Sequence, residues 1–186
     1  MSKIQKIHFN KSMSADLRYP IGKFSKDFDI TAELRRQFIN EINDLPDNLK
    51  AAVKDLSVEQ LDTPYRPGGW TVRQTVHHIA DSHLNSQIRF KLALTEETPT
   101  IRPYFEERWA ELDDSFLPIE PSIKIIEGLH QRWTTLLNSM SGNDFQRKLI
   151  HPDSGEWTLS QMLALYAWHG KHHTAHITKL RERENW

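Results

Sequence analysis

The chain has 186 residues, with 24 Lys and Arg against 25 Asp and Glu, and a formal net charge of −1 at pH 7. This length predicts one domain, 1–186, with room for one sizeable core. The balanced charge excludes a phosphate-neutralising surface, so neither nucleic acid nor an anionic membrane is expected as a partner.

Cysteine is absent, which rules out disulfides and thiolate metal sites. Any zinc-type site must use nitrogen and oxygen ligands. The N-terminal residues lack the apolar segment of a signal peptide, and no run reaches the length of a membrane span. The chain therefore reads as cytoplasmic.

Residues 1 to about 30 show no sustained period and read as an extended arm, punctuated by Tyr19-Pro20-Ile21-Gly22. The first helix is expected from Ala32 to Leu56, because Leu34, Phe38, Ile42, Leu45, Leu49 and Val53 recur at steps of three and four. Pro46 lies inside this stripe without breaking its phase, which predicts one kinked helix rather than two. Ser57-Val58-Glu59-Gln60 has the form of a capping box for a short turn.

The second helix opens after Pro67-Gly68-Gly69-Trp70, with Thr71 and Gln74 as a capping box. Val72, Val76, Ile79, His83 and Phe90 mark its inner stripe. Thr95-Glu96-Glu97 and Pro99 end it. Residues 99–121 form a long connection with room for a short helix over 105–112, and such a crossover in a bundle often serves as a lid or an interface.

The third helix is expected from Ser122, with Ile126, Leu129, Trp133, Leu136 and Met140 on one face. The fourth opens with Thr158 and Gln161 as another capping box, and Leu159, Leu163, Tyr166, His173, Ile177 and Leu180 lie inward. No strand pattern stands out. The expected fold is all-α, a four-helix bundle with a long crossover connection and an N-terminal extended arm. Gly68, Trp70, Thr71 and Gln74 correspond to Gly155, Trp157, Thr158 and Gln161, so the second and fourth helices begin alike. Independent caps and a duplicated helix pair both account for this echo.

Ten histidines are present, and seven fall in two windows: His77, His78 and His83, then His169, His172, His173 and His176. Residues four apart share a helical face, so His169 and His173 can present two imidazoles to one ion. His172 and His176 have the same spacing. The inner stripe favours His169 and His173, since His173 falls on the line of Leu159, Leu163, Tyr166 and Ile177. An unpaired inward imidazole is costly, and a metal satisfies it. For a third ligand, His77, His78 and His83 all remain open; helical phase makes His83 the most inward.

The segments Gly68-Gly69-Trp70-Thr71-Val72-Arg73-Gln74, His77-His78-Ile79-Ala80-Asp81-Ser82-His83 and Tyr166-Ala167-Trp168-His169-Gly170-Lys171-His172-His173-Thr174-Ala175-His176-Ile177 resemble the DinB superfamily, in its YfiT-like branch of metal-dependent hydrolases. Tyr19–Gly22, Leu61–Arg66, Ile88–Glu96 and His151-Pro152-Asp153 extend the resemblance from about residue 18 to the end. It implies a four-helix bundle, a homodimer, and one divalent ion, Zn²⁺ or Ni²⁺, held by His78, His169 and His173. Many members carry Gln where His176 stands, which sets His176 aside as a ligand.

Three imidazoles leave a coordination position open, the mark of a reactive rather than a structural zinc site. Hydrolysis of a small-molecule substrate by activated water is the first expectation. The alternative is transfer of a low-molecular-weight thiol, such as bacillithiol, to an electrophile; some of this branch resemble such S-transferases. A non-catalytic metal-binding module is a third reading. Candidate helpers are Asp81 as an acceptor orienting a ligand imidazole, Arg66, Arg73 and Arg89 as anion clamps, Tyr104, and His151 near the pocket mouth.

Overall fold

A computed structural model describes residues 16–186. The first half of the expected arm therefore lies outside the described residues. The remainder, 16–31, contains no helix or strand.

Helix α1, Ala32–Val53, starts at Thr31, whose hydroxyl accepts the Leu34 N–H at 3.2 Å. It stops short of the expected Leu56 because Asp55 takes a left-handed conformation, φ +60°, which an α-helix cannot continue through. Helix α2, Val58–Leu61, follows the Ser57–Gln60 capping box. Helix α3, Val72–Thr95, follows the Thr71–Gln74 box. The crossover contains α4, Glu106–Trp109, and a 3-10 turn at Asp113–Phe116. Helix α5 runs Glu120–Ser139, starting two residues before the expected Ser122. Pro121 sits in its first turn, where a missing N–H costs nothing.

The bundle also carries one short strand pair that the sequence does not display. Lys148–His151 (β1) and Gly155–Thr158 (β2) form an antiparallel hairpin, with Lys148 opposite Thr158 and His151 opposite Gly155. Strands of four residues are too short to display a period. Helix α6, Leu159–Glu184, leaves this hairpin through the Thr158–Gln161 capping box. The echo between the two helix entries extends to the backbone: Gly68 and Gly155 both have positive φ, +67° and +77°.

Helices α1 and α3 each pack on both α5 and α6, so the four long helices form a bundle with α1 and α3 on one diagonal. The crossover is pinned to α3 by side chains of its first two turns. Arg73 bonds Asp62 at 2.7 Å and the Leu117 carbonyl at 3.0 Å, and Gln74 donates to the Ala110 carbonyl at 2.8 Å. His77 reaches the Ser122 hydroxyl at 2.7 Å and the Leu117 carbonyl at 3.0 Å.

The core divides into two apolar clusters. One contains Ile39, Ile42, Phe90, Trp133, Leu137, Leu163 and Tyr166; the other contains Leu45, Leu49, Val76, Ile79, Ile126, Ile177 and Leu180. On every long helix the break between them falls at the same level, between 42 and 45, 80 and 90, 126 and 133, and 167 and 177. Into that break project His83, His130 and His173, all buried, and the half-buried His169. The bundle thus carries a layer of imidazole between two layers of hydrocarbon. No helix among the described residues is long and apolar enough to cross a membrane.

Candidate metal centre

Helix α3 supplies His78 and α6 supplies His169 and His173, one turn apart. Their candidate ligand nitrogens all lie within 4.8 Å of one another. His78 Nε2 and His169 Nε2 are 3.2 Å apart. Two nitrogens bound to one tetrahedral zinc ion stand about 3.3 Å apart, given bonds of about 2.0–2.1 Å. Among the described residues, the Nδ1 of His173 is buried without a hydrogen-bond partner, and so are those of His172 and His176. The donor set and its spacing fit a divalent ion with nitrogen preference.

Burial keeps these rings neutral, the form that binds metal. It pushes His78 down to about 4, with the His172 and His176 rings adding to the effect. Burial takes His169 and His173 well below the ordinary 6.5, again with neighbouring imidazoles contributing.

A second set, His172, His173 and His176, also gathers its nitrogens within 4.8 Å and shares His173 with the first. Both extra rings are buried too, although the inner stripe favours His169 and His173. Aromatic rings cover them. Tyr65 stacks on His176 with centroids 3.9 Å apart, and Trp168 stacks on His172 at 4.3 Å. The Nε2 of His176 also meets the Arg18 carbonyl at 3.2 Å, which ties the arm to α6.

The histidines form the floor of a cavity of about 770 Å³, open to solvent. Trp70 walls it, with its ring 4.5 Å from that of His78. Arg18 and Arg66 stand at the rim with Glu106, Glu107 and Glu111 of the crossover. Among the helpers anticipated from sequence, Arg66 alone lines this cavity.

Arg73 serves the crossover instead, and Arg89 donates to the Tyr166 hydroxyl at 3.2 Å. The Tyr104 hydroxyl is buried beside Ser82, and its ring packs on Trp109 at 4.5 Å. Burial raises its pKa. His151 sits in β1, where its Nδ1 accepts the Asp153 N–H at 3.2 Å. Burial raises the Asp81 carboxyl to about 6, with Asp114 adding to the effect. No hydrogen bond joins that carboxyl to an imidazole among the described residues. The outer nitrogen of His169 meets His83 instead, at 3.2 Å.

Sequence reasoning missed His130, Trp70 and Arg18. His130 is a lone histidine outside both windows, and nothing in its local spacing marks it.

The DinB superfamily profile matches residues 33–177. A protein of Bacillus cereus (strain AH820), named "Putative metal-dependent hydrolase", is 60% identical over 171 residues, covering 92% of this chain and 99% of the relative. A protein of Bacillus mycoides (strain KBAB4) bearing the same designation is 59% identical with the same coverage. Among solved structures, YfiT from Bacillus subtilis, described as "a probable metal-dependent hydrolase with an unusual four-helix bundle topology", superposes with a TM-score of 0.89. It is 50% identical, and the match covers 91% of this chain and 98% of that one.

Proposed function

The chain belongs to the DinB superfamily, and on that premise we propose that it is a metal-dependent hydrolase acting on a small molecule. We assign the ion to His78, His169 and His173, with Zn²⁺ or Ni²⁺ as its identity, since imidazole suits both. The observation that carries the reading is the cluster of three imidazoles, with candidate ligand nitrogens within 4.8 Å of one another, lining an open cavity of about 770 Å³.

A divalent ion held there would supply Lewis acidity beside the cavity. The chain supplies the rest. His78, His169 and His173 offer uncharged lone pairs, so no proton must leave before binding. Trp70 and Tyr65 exclude water from the sides of the floor and give an apolar surface for the substrate body. Arg66 is the residue we assign to orienting an anionic group, because it is the cavity-lining guanidinium next to Tyr65, set against the carboxylates of Glu106, Glu107 and Glu111 on the same rim.

We also propose a homodimer. The crossover exposes Phe105 (69%), Leu112 (55%) and Phe116 (59%), an amount of apolar surface that a partner copy would cover.

The test is a turnover screen of the metal-loaded protein against esters, amides and thiol-plus-electrophile pairs. Hydrolysis that stops on chelation and returns with Zn²⁺ or Ni²⁺ is the expected result. Turnover that survives verified metal removal overturns the reading. Turnover that requires an added thiol and yields a thioether replaces hydrolysis with S-transfer. No turnover of any class by loaded protein points to a binding module.

A further inference from the structure

An α-helical carbonyl normally accepts the N–H four residues later. For Ile42 that residue is Pro46, which has no N–H. Pro46 therefore leaves the Ile42 carbonyl free inside the bundle. It is taken up across the core by His130 Nδ1, at 2.6 Å. The Nε2 of His130 lies 3.0 Å from His83 Nδ1, and the Nε2 of His83 lies 3.2 Å from His169 Nδ1. This chain of contacts visits all four long helices in turn: α1, α5, α3 and α6.

We propose that Pro46, His130 and His83 form a relay of positioning residues that fixes the tautomer of His169, so that its Nε2 presents a bare lone pair to the ion. The inference rests on the metal centre proposed above. Its logic is the polarity of hydrogen bonds. A neutral imidazole has one N–H and one lone pair. A carbonyl only accepts, so His130 must carry its proton on Nδ1 and offer Nε2 as acceptor. His83 must then donate from Nδ1 and accept at Nε2. His169 must in turn donate from Nδ1, and its Nε2 is left unprotonated. That atom faces His78 Nε2 at 3.2 Å, among the other candidate ligands.

The reversed polarity would aim the His130 lone pair at the carbonyl oxygen and leave a buried acceptor without a donor, which costs about 1–3 kcal/mol. The partners along the relay are one carbonyl and other imidazoles, with no carboxylate among them to hold a second proton on any of the three rings. The Nδ1–H contact to His83 also fixes the orientation of the His169 ring, as outer partners of metal-bound histidines generally do. The relay gives distinct tasks to a mid-helix proline and two buried histidines that do not themselves line the cavity.

The experiment uses the full chain labelled with ¹⁵N-histidine and stripped of metal. Long-range ¹H–¹⁵N correlation reads which ring nitrogen carries the proton. The expected spectrum has His130, His83 and His169 all protonated on Nδ1 before any metal is added. Zn²⁺ affinity is then measured by competition with a chromophoric chelator. His130→Leu removes the acceptor for His83 and should weaken Zn²⁺ binding about tenfold or more, the usual cost of losing an outer-shell partner. The same variant should give His169 a mixed tautomer. His130→Gln places an acceptor oxygen near the former Nε2 and should recover most of the loss.

A proton on His169 Nε2 in the metal-free wild type overturns the relay, and so does unchanged affinity in His130→Leu. Should His130→Leu fail to fold, the wild-type spectrum alone decides. Wild type that binds Zn²⁺ with the wrong tautomer refutes the relay only. Wild type with the expected tautomers that binds no Zn²⁺ refutes the metal centre instead.

Discussion

At the scale of single residues, His77, His78 and His83 show what separates a candidate ligand from a neighbour. Helical phase ranks depth, and by depth His83 came first. A ligand needs a lone pair that nothing else occupies. Both ring nitrogens of His83 are engaged by other imidazoles, and both of His77 by Ser122 and Leu117. His78 keeps its Nε2 among the α6 histidines. That distinction was not legible from spacing, because it depends on partners contributed by α5 and the crossover.

Titration follows from the same burial. An unfolded histidine takes up a proton near 6.5, while folded His78, His172 and His176 resist until about 4, each chiefly through burial. Between those values the unfolded chain binds more protons than the folded one, so stability falls as pH falls. The contribution is complete above about pH 7, where unfolded histidines are themselves mostly neutral. Calorimetry of metal-free protein should show a nearly constant melting temperature above that point and a steady decline towards pH 4. A flat profile through the window would mean that these rings are charged in the folded state.

At the scale of elements, the starts of α2, α3 and α6 were legible to the residue, because a capping box is a local hydrogen-bond pattern that needs no tertiary partner. The hairpin was not, because two four-residue strands depend on pairing with each other. Pro46 was visible as an interruption, but its consequence was not: the carbonyl it frees finds its donor on α5.

The crossover was legible as a long connection. The structure adds that Arg73, Gln74 and His77 clamp its inner side while Phe105 and Phe116 face outward. If that face joins two copies, sedimentation at micromolar concentration should report twice the 21.8 kDa chain mass. Phe105→Asp with Phe116→Asp should shift the protein to a monomer with its helical content intact. A monomeric wild type would remove the interface from this segment.

At the scale of the whole molecule, the bundle is two hydrocarbon clusters separated by a histidine layer, and the layer opens on one side into the cavity. The apolar stripes of the four helices were readable because burial repeats along a helix. The layer was readable only as two windows rich in histidine, since its fourth contributor, His130, stands alone in sequence. The two possible ligand sets meet at His173, so substitution of His173 cannot separate them.

The substitutions that do separate them are His169→Ala and His172→Ala. The direct measurement is elemental analysis of untagged protein, wild type beside these two variants. The account predicts one divalent ion per chain in wild type and in His172→Ala, and almost none in His169→Ala. A metal-free wild type, or a His172→Ala as depleted as His169→Ala, would contradict it.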